Sequence, residues 1–251
     1  MPGNILRWKG GAGGDILLKL ISLSQANIRT NVKFQDGLTD QGAAVLDFSQ
    51  LDISKQTDLI TKLEHLDEVD PVLLTQQVRD LFAGEQTWWL KSHYYAHNVC
   101  DQNTIDLVAD LPSLPFAVAA NINKTKTLAV DFNHLVGNIR DPDLRRHYSI
   151  FSVAKDFVAF STKNRTITVD QLLSGWASVK HAIKQFEVEL DENLKITYET
   201  WLSNNQEYRP SATYKYCVQS QHYDIDHPKL NLVEKYCLLA ISGSKFKKLQ
   251  H

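Results

Sequence analysis

The hydrophobic pattern at the start of the chain predicts a strand, a turn and a helix. Ile5 to Trp8 is a short, mainly apolar run, and apolar residues recur at helical spacing from Ile16 to Leu23. Four of the eleven glycines lie between them, at positions 10, 11, 13 and 14. A strand, a glycine turn and a helix in this order open a βα unit.

Further along, strand-like runs alternate with helical faces. We predict strands at the short apolar or β-prone runs, which are Val45–Phe48, Thr87–Tyr95, Phe116–Ala120 and Leu194–Tyr198. We predict helices where apolar residues recur every three or four positions, which are Leu59–Leu66, Pro71–Phe82, Val169–Phe186 and Leu230–Ile241. Thr168 and Gln171 have the spacing of a capping box. The alternation predicts a three-layer α/β/α fold with a mainly parallel sheet, which binds ligands at the carboxyl ends of its strands.

Composition sets the expected domain count and location. A hydrophobic content of 43% is ample for one core, so we expect a single α/β domain over residues 1–251. A formal charge of -2 gives no general attraction to nucleic acid or to an anionic membrane. The sequence has three widely spaced cysteines and no run typical of a secretory signal or a membrane span. We therefore expect a soluble, cytoplasmic protein.

The glycine turn, Lys9 to Asp15, is predicted to bind an anion. Glycine reaches positive φ and has no Cβ, so successive backbone N–H groups can surround a phosphate or sulfate at a helix N-terminus. The turn is not a Walker loop, because Asp15 stands where that motif has Lys, and the spacing GxGxxG is not met. In this interpretation Asp15 turns away from the anion and caps the helix. The alternative is a tight turn that serves packing alone.

Several short motifs follow one another in a familiar order. They are Lys9-Gly10-Gly11-Ala12-Gly13-Gly14-Asp15 after the first strand, Lys91-Ser92-His93 at a later strand end, Arg140-Asp141-Pro142, Trp176, and Ile196 to Leu202. Their order resembles the P-loop sulfotransferases, whose corresponding motifs are the phosphosulfate loop, a KTH strand end, an RxP loop, a Trp-bearing helix and a YEDL strand. That family uses 3′-phosphoadenosine 5′-phosphosulfate as co-substrate.

The resemblance implies an in-line sulfuryl transfer that needs no metal, to a hydroxyl or amine of a small molecule or glycan. The glycine turn would hold the 5′-phosphosulfate, and His93 would accept the proton of the acceptor. Lys91, or Lys9 before the glycines, would stabilise charge on the bridging oxygen. No Arg follows Phe116–Ala120 where the family has one. We therefore expect the 3′-phosphate to lie near Lys124, Thr125 and Lys126.

Three alternatives stay open. The same glycines are similar to the GxxGD turn of heptosyltransferase-type glycosyltransferases, which use nucleotide sugars, although the chain is short for two Rossmann-like domains. Phosphoryl transfer would need a Lys and a magnesium ligand that the turn lacks. A non-catalytic binding protein could keep the same fold. A basic cluster at Arg140, Arg145, Arg146 and His147 is interpreted as a solvated helix face, and Trp88, Trp89 and Trp176 as core residues.

Overall fold

The computed structural model describes residues 4–30, 32–34, 44–46, 87–92, 104–128, 142–160 and 165–243. Its strands are β1 (Asn4–Trp8), β2 (Ile28–Thr30), β3 (Val32–Phe34), β4 (Ala44–Leu46), β5 (Thr87–Ser92), β6 (Thr104–Val108) and β7 (Arg165–Thr168). Its α-helices are α1 (Gly14–Ser24), α2 (Leu114–Leu128), α3 (Pro142–Val158), α4 (Val169–Leu173), α5 (Trp176–Lys184), α6 (Lys195–Asn204), α7 (Ala212–Ser220) and α8 (Leu232–Ile241).

The chain divides into two compact units, and each takes its residues from separated segments. Unit 1 draws on residues 1–9, 13–108 and 162–205, and unit 2 on 10–12, 109–161 and 206–251. The expectation of one domain over the whole chain stays a prediction.

Unit 1 contains a parallel sheet, as the sequence predicts for an α/β protein. Its described strands lie in the order β2-β5-β1-β6-β7, and every neighbouring pair in this order is parallel. The strands β3 and β4 form a separate antiparallel pair. Because β1 has a neighbour on each side, all five of its residues are buried. Leu17, Leu18 and Leu20 of α1 are fully buried in the same unit, so the predicted βα opening is confirmed.

The predicted helix Val169–Phe186 begins where expected but is two helices. The side chains of Thr168 and Gln171 each accept the other's backbone N–H, which confirms the capping box. The first helix, α4, ends after one turn, and Gly175 then adopts a φ of 109° at the start of α5. The Gly175 N–H donates to the hydroxyl of Tyr198 at 3.1 Å, so this break is held by a tertiary contact.

Unit 2 is helical, with α2, α3, α7 and α8 around one core. Its fully buried residues include Ala117, Ala154, Tyr214 and Leu238, one from each of these helices. A capping box of Asn231 and Glu234 begins α8, and this helix confirms the predicted last helix within two residues.

Two predicted strands are wrong. Phe116–Ala120 lies in α2, where three of the five residues between Ala117 and Asn121 are alanines, the residue with the highest helix propensity. Leu194–Tyr198 lies in a 3₁₀ turn and α6, where burial of Tyr198 and Trp201 has helical spacing and Ile196 is exposed. The sequence pattern does not predict the strands β2, β3, β6 and β7. Short apolar runs do not distinguish a strand from a buried helical turn.

The predicted helices Leu59–Leu66 and Pro71–Phe82 lie outside the described residues, as do His93 to Tyr95 and Arg140. Within the described part of the chain, none of the helices is long and apolar enough to cross a lipid bilayer.

Candidate functional site: the glycine turn

Parallel pairing brings the ends of two strands to one edge of the sheet. Arg7 of β1 is paired with Ser92 of β5, so both strands end beside each other. The glycine turn follows β1 directly, and His93 follows β5 but lies outside the described residues. Ligands of open parallel sheets collect at this edge.

The backbone of the turn alternates in handedness. Gly11 has a φ of 94° and Gly13 a φ of 82°, whereas Ala12 between them has no positive φ and Gly14 is already helical. Glycine-rich turns of this kind can form a nest, in which successive N–H groups line a concave site for an anion. Only glycine adopts the required positive φ values without strain.

Three glycine N–H groups of the turn have no acceptor in the part of the chain that the structure describes. Among the described residues, none accepts a hydrogen bond from the N–H of Gly11, Gly13 or Gly14. The first α1 residue to bond back into the turn is Leu17, whose N–H donates to the Gly13 carbonyl at 3.3 Å. Within the described residues, these three glycines therefore offer donors without an acceptor at the positive end of the helix dipole.

The same glycines are also needed for packing. A Cβ on Gly11 would lie 2.4 Å from the Ala117 carbonyl oxygen, within unit 2. Within unit 1, a Cβ on Gly14 would lie 2.0 Å from the Trp8 ring, and one on Gly13 2.7 Å from Leu172. Close packing by itself thus explains why glycine occupies positions 11, 13 and 14. This is what the alternative interpretation, a tight turn that serves packing, expects.

Asp15 and Lys91 form a buried ion pair in unit 1. Lys91 Nζ lies 2.7 Å from Asp15 Oδ1 and 5.3 Å from the centroid of the Trp8 ring. Asp15 is 5% and Lys91 6% exposed. The Lys91 ammonium group therefore compensates the carboxylate charge in the first turn of α1. The expectation that Asp15 caps the helix stays a prediction.

A second buried ion pair lies within the sheet, and the sequence analysis missed it. Arg7 Nε donates to Asp106 Oδ1 at 2.7 Å and Nη2 donates to Oδ2 at 3.0 Å, and Asp106 is completely buried. This two-point contact joins β1 to β6. The sequence does hold a signal for this pair, because Arg7 and Asp106 each stand inside an apolar run. Buried charges of opposite sign are normally paired.

The residues predicted to bind the 3′-phosphate lie in a helix. Lys124, Thr125 and Lys126 belong to α2, so the expectation that they follow a strand is wrong. The contact between α2 and the turn is made by Asn121 instead, whose Nδ2 donates to the Gly10 carbonyl oxygen at 2.6 Å. Of the predicted turn residues, Lys9 and Gly10 are partly buried and Ala12 is fully buried.

The remaining motif residues have structural contacts. Arg146 of the basic cluster is exposed on α3, whereas His147 Nδ1 lies 2.9 Å from the Tyr236 hydroxyl. Trp176 is buried, as predicted, and its Nε1 donates to Glu192. Hydrogen bonds from Lys180 and then Trp176 lower the pKa of Glu192.

Comparison with known proteins gave no match among family models, curated proteins or solved structures. In the described part of the chain, His, Cys, Asp and Glu side chains form no group of three or more that could hold a metal ion. Function is therefore inferred from the glycine turn and its neighbours.

Proposed function

We propose that this chain is a sulfotransferase-like enzyme that moves a sulfuryl group from 3′-phosphoadenosine 5′-phosphosulfate to a hydroxyl or amine of a small molecule or glycan. The observation that carries the proposal is the positive φ of Gly11 and Gly13, whose N–H groups, with that of Gly14, have no acceptor among the described residues. Such a turn favours a phosphate or sulfate group.

The Asp15–Lys91 ion pair supports the proposal because it neutralises the carboxylate charge close to the proposed anion. An unpaired carboxylate in the first turn of α1 would repel a dianion. With Lys91 Nζ at 2.7 Å, the pair is neutral overall, and the helix dipole and glycine N–H groups then dominate the local potential. In this arrangement Lys91 acts as a positioning residue, and Lys9 is the candidate for contact with the bridging oxygen.

The parallel sheet supports the fold that the proposal requires, a three-layer α/β/α P-loop architecture. The glycine turn follows the central strand, and β5, which precedes His93, lies beside it. In the proposed step, the imidazole of His93 takes the proton of the acceptor hydroxyl as the new O–S bond forms. The bond between sulfur and the bridging oxygen breaks, and adenosine 3′,5′-bisphosphate leaves. Lys124, Thr125 and Lys126 are the proposed ligands of its 3′-phosphate.

A non-catalytic binding protein is the second candidate. It is favoured by the burial of Lys91 in an ion pair and by the close packing around Gly11, Gly13 and Gly14. The glycosyltransferase alternative has less support. In the Rossmann order the second parallel strand pairs with the first, whereas here β5 lies between β2 and β1.

A thermal-shift panel separates these candidates. Adenosine 3′,5′-bisphosphate at about a hundred times its Kd stabilises the folded chain by about 2.7 kcal/mol, which raises the Tm by about 5 °C or more. AMP, which lacks the 3′-phosphate, is the matched control and gives a smaller shift. Stabilisation by a nucleotide sugar alone would favour the glycosyltransferase. No shift with any nucleotide at millimolar concentration would contradict the proposal.

A further inference from the structure

We infer that Asn121 is a positioning residue that orients the Gly10–Gly11 peptide of the oxyanion-binding turn. This inference rests on the proposed function. Asn121 lies in α2, is partly buried, and donates from Nδ2 to the Gly10 carbonyl oxygen at 2.6 Å. The contact lies wholly within unit 2.

Because the peptide is planar, the hydrogen bond to the Gly10 oxygen also sets the direction of the Gly11 N–H group. In a planar trans peptide, the carbonyl oxygen of one residue and the N–H of the next point in opposite directions. Because Asn121 draws the Gly10 oxygen toward α2, the Gly11 N–H is directed away from α2. That N–H has no hydrogen-bond acceptor among the described residues and is one of the donors of the proposed anion site.

Close packing of Gly11 on the backbone of α2 also holds this peptide in place. The Gly11 Cα rests on the helix backbone, where an added Cβ would lie 2.4 Å from the Ala117 oxygen and 2.5 Å from the Asn121 nitrogen. If the Gly10–Gly11 peptide flipped, the hydrogen bond from Asn121 Nδ2 to the Gly10 oxygen would be lost, and the Asn121 amide would have to rotate to accept the Gly11 N–H through Oδ1. In the observed orientation, the bond from Asn121 therefore holds the Gly10 oxygen on α2 and leaves the Gly11 N–H directed away from it before the anion arrives.

The chemistry of the amide gives a test that a purely structural role would not satisfy. Asn121→Asp keeps the size of the side chain but removes the donor while the new carboxyl group is ionised. Protonation returns an O–H donor to the same place. The Gly10 carbonyl oxygen and partial burial both disfavour the carboxylate, so the pKa of the new group lies above its usual value of about 3.9. Anion binding by this variant is therefore expected to recover as the pH falls.

The experiment is a sulfate titration of chain labelled with ¹⁵N-glycine, followed by NMR at constant ionic strength from about pH 8 to about pH 4, where a group with a pKa above about 3.9 is at least about half protonated. Sulfate is the probe because its charge is constant across this range. In the parent chain, the Gly11 amide signal is expected to shift with sulfate. In Asn121→Asp, sulfate affinity is expected to be about tenfold lower at high pH and to return to within about twofold of the parent at low pH.

Asn123→Asp is the matched control, because Asn123 lies on the same helix but its Nδ2 donates to the Tyr208 hydroxyl. It is expected to bind sulfate as the parent does at every pH. Equal sulfate affinity of Asn121→Asp and the parent, a deficit that low pH does not repair, or the same deficit in the control would overturn the inference alone. A parent Gly11 signal that ignores sulfate while other glycine amides respond would overturn it as well, without any variant. Absence of sulfate binding by the parent overturns the proposed function and this inference together.

Discussion

The ammonium group of Lys91 is held 2.7 Å from the carboxylate of Asp15, and both side chains are buried. The pair links the strand that precedes His93 to the first turn of α1. Each charge has lost most of its hydration, so each depends on the other for compensation.

Lys91→Met is expected to lower the free energy of unfolding by about 3–5 kcal/mol, because it leaves the Asp15 carboxylate buried without its counter-charge. The double variant Asp15→Asn/Lys91→Met should recover a large part of that loss. Urea unfolding curves measure both. Lys195→Met is the control, since Lys195 and Glu199 form an exposed pair at 3.7 Å, and it should cost less than about 1 kcal/mol. Equal losses for the two lysine variants would contradict the prediction.

Gly11→Ala should destabilise the chain by about 3 kcal/mol or more, because the new Cβ meets the backbone of α2 and the residue has a φ of 94°. Gly243→Ala separates the effect of positive φ from the effect of contact with α2. Gly243 also has positive φ, at 65°, but no atom of the described residues lies within 4 Å of its Cβ position. Its replacement should cost about 1 kcal/mol. Chemical denaturation of the two variants measures the difference, and similar losses would mean that packing on α2 contributes little.

Alkaline pH should destabilise unit 2 through buried phenols. Burial raises the pKa of Tyr236 to about 12, and burial also raises the pKa of Tyr214. An unfolded Tyr loses its proton near pH 10. The contribution of Tyr236 to stability is therefore complete below about pH 10 and is lost as the pH rises through about 12. Urea unfolding at increasing pH should show a shallower decline for Tyr236→Phe than for the parent. Tyr216→Phe is the control, because Tyr216 is 67% exposed, and its curve should parallel the parent's.

Glu234→Gln should destabilise the chain by about 2 kcal/mol. The carboxylate of Glu234 is fully buried and accepts the N–H of Ser211 at 2.6 Å and that of Asn231 at 3.0 Å. It thus joins the residues that precede α7 and α8. The amide of Gln can accept only one of these bonds and sets an NH₂ group against the other N–H. Glu192→Gln, at an exposed carboxylate, should change the thermal midpoint far less, and a larger effect at Glu192 would refute the comparison.

His93→Ala should abolish sulfuryl transfer and leave stabilisation by adenosine 3′,5′-bisphosphate intact, because the proposed general base does not hold the nucleotide. Transfer is measured as release of the bisphosphate, and binding as the shift in Tm. A variant that turns over at the parent rate would remove His93 from the mechanism. Loss of the thermal shift would instead assign His93 to nucleotide binding.

Several elements could be predicted from local sequence because local chemistry determines them. The capping residues Thr168 and Gln171 are three positions apart and bond within one helical turn. The glycines of the first turn reach positive φ values that other residues avoid. Phe116–Ala120 does not reveal its helix, because an apolar run of five residues fits a strand as well as a helix. Pro115, at a favourable position in the first turn of α2, was a helical signal that went unused.

The sequence by itself determined the βα opening, the glycine turn and the starts of α4 and α8, since each depends on residues within a few positions of one another. Only the tertiary structure decided that Asp15 pairs with Lys91, that Arg7 pairs with Asp106, and that Asn121 holds the Gly10 carbonyl. These partners are separated by 76, 99 and 111 positions along the chain. Folding brings such groups together through strand order and helix packing, which the local pattern of residues does not encode.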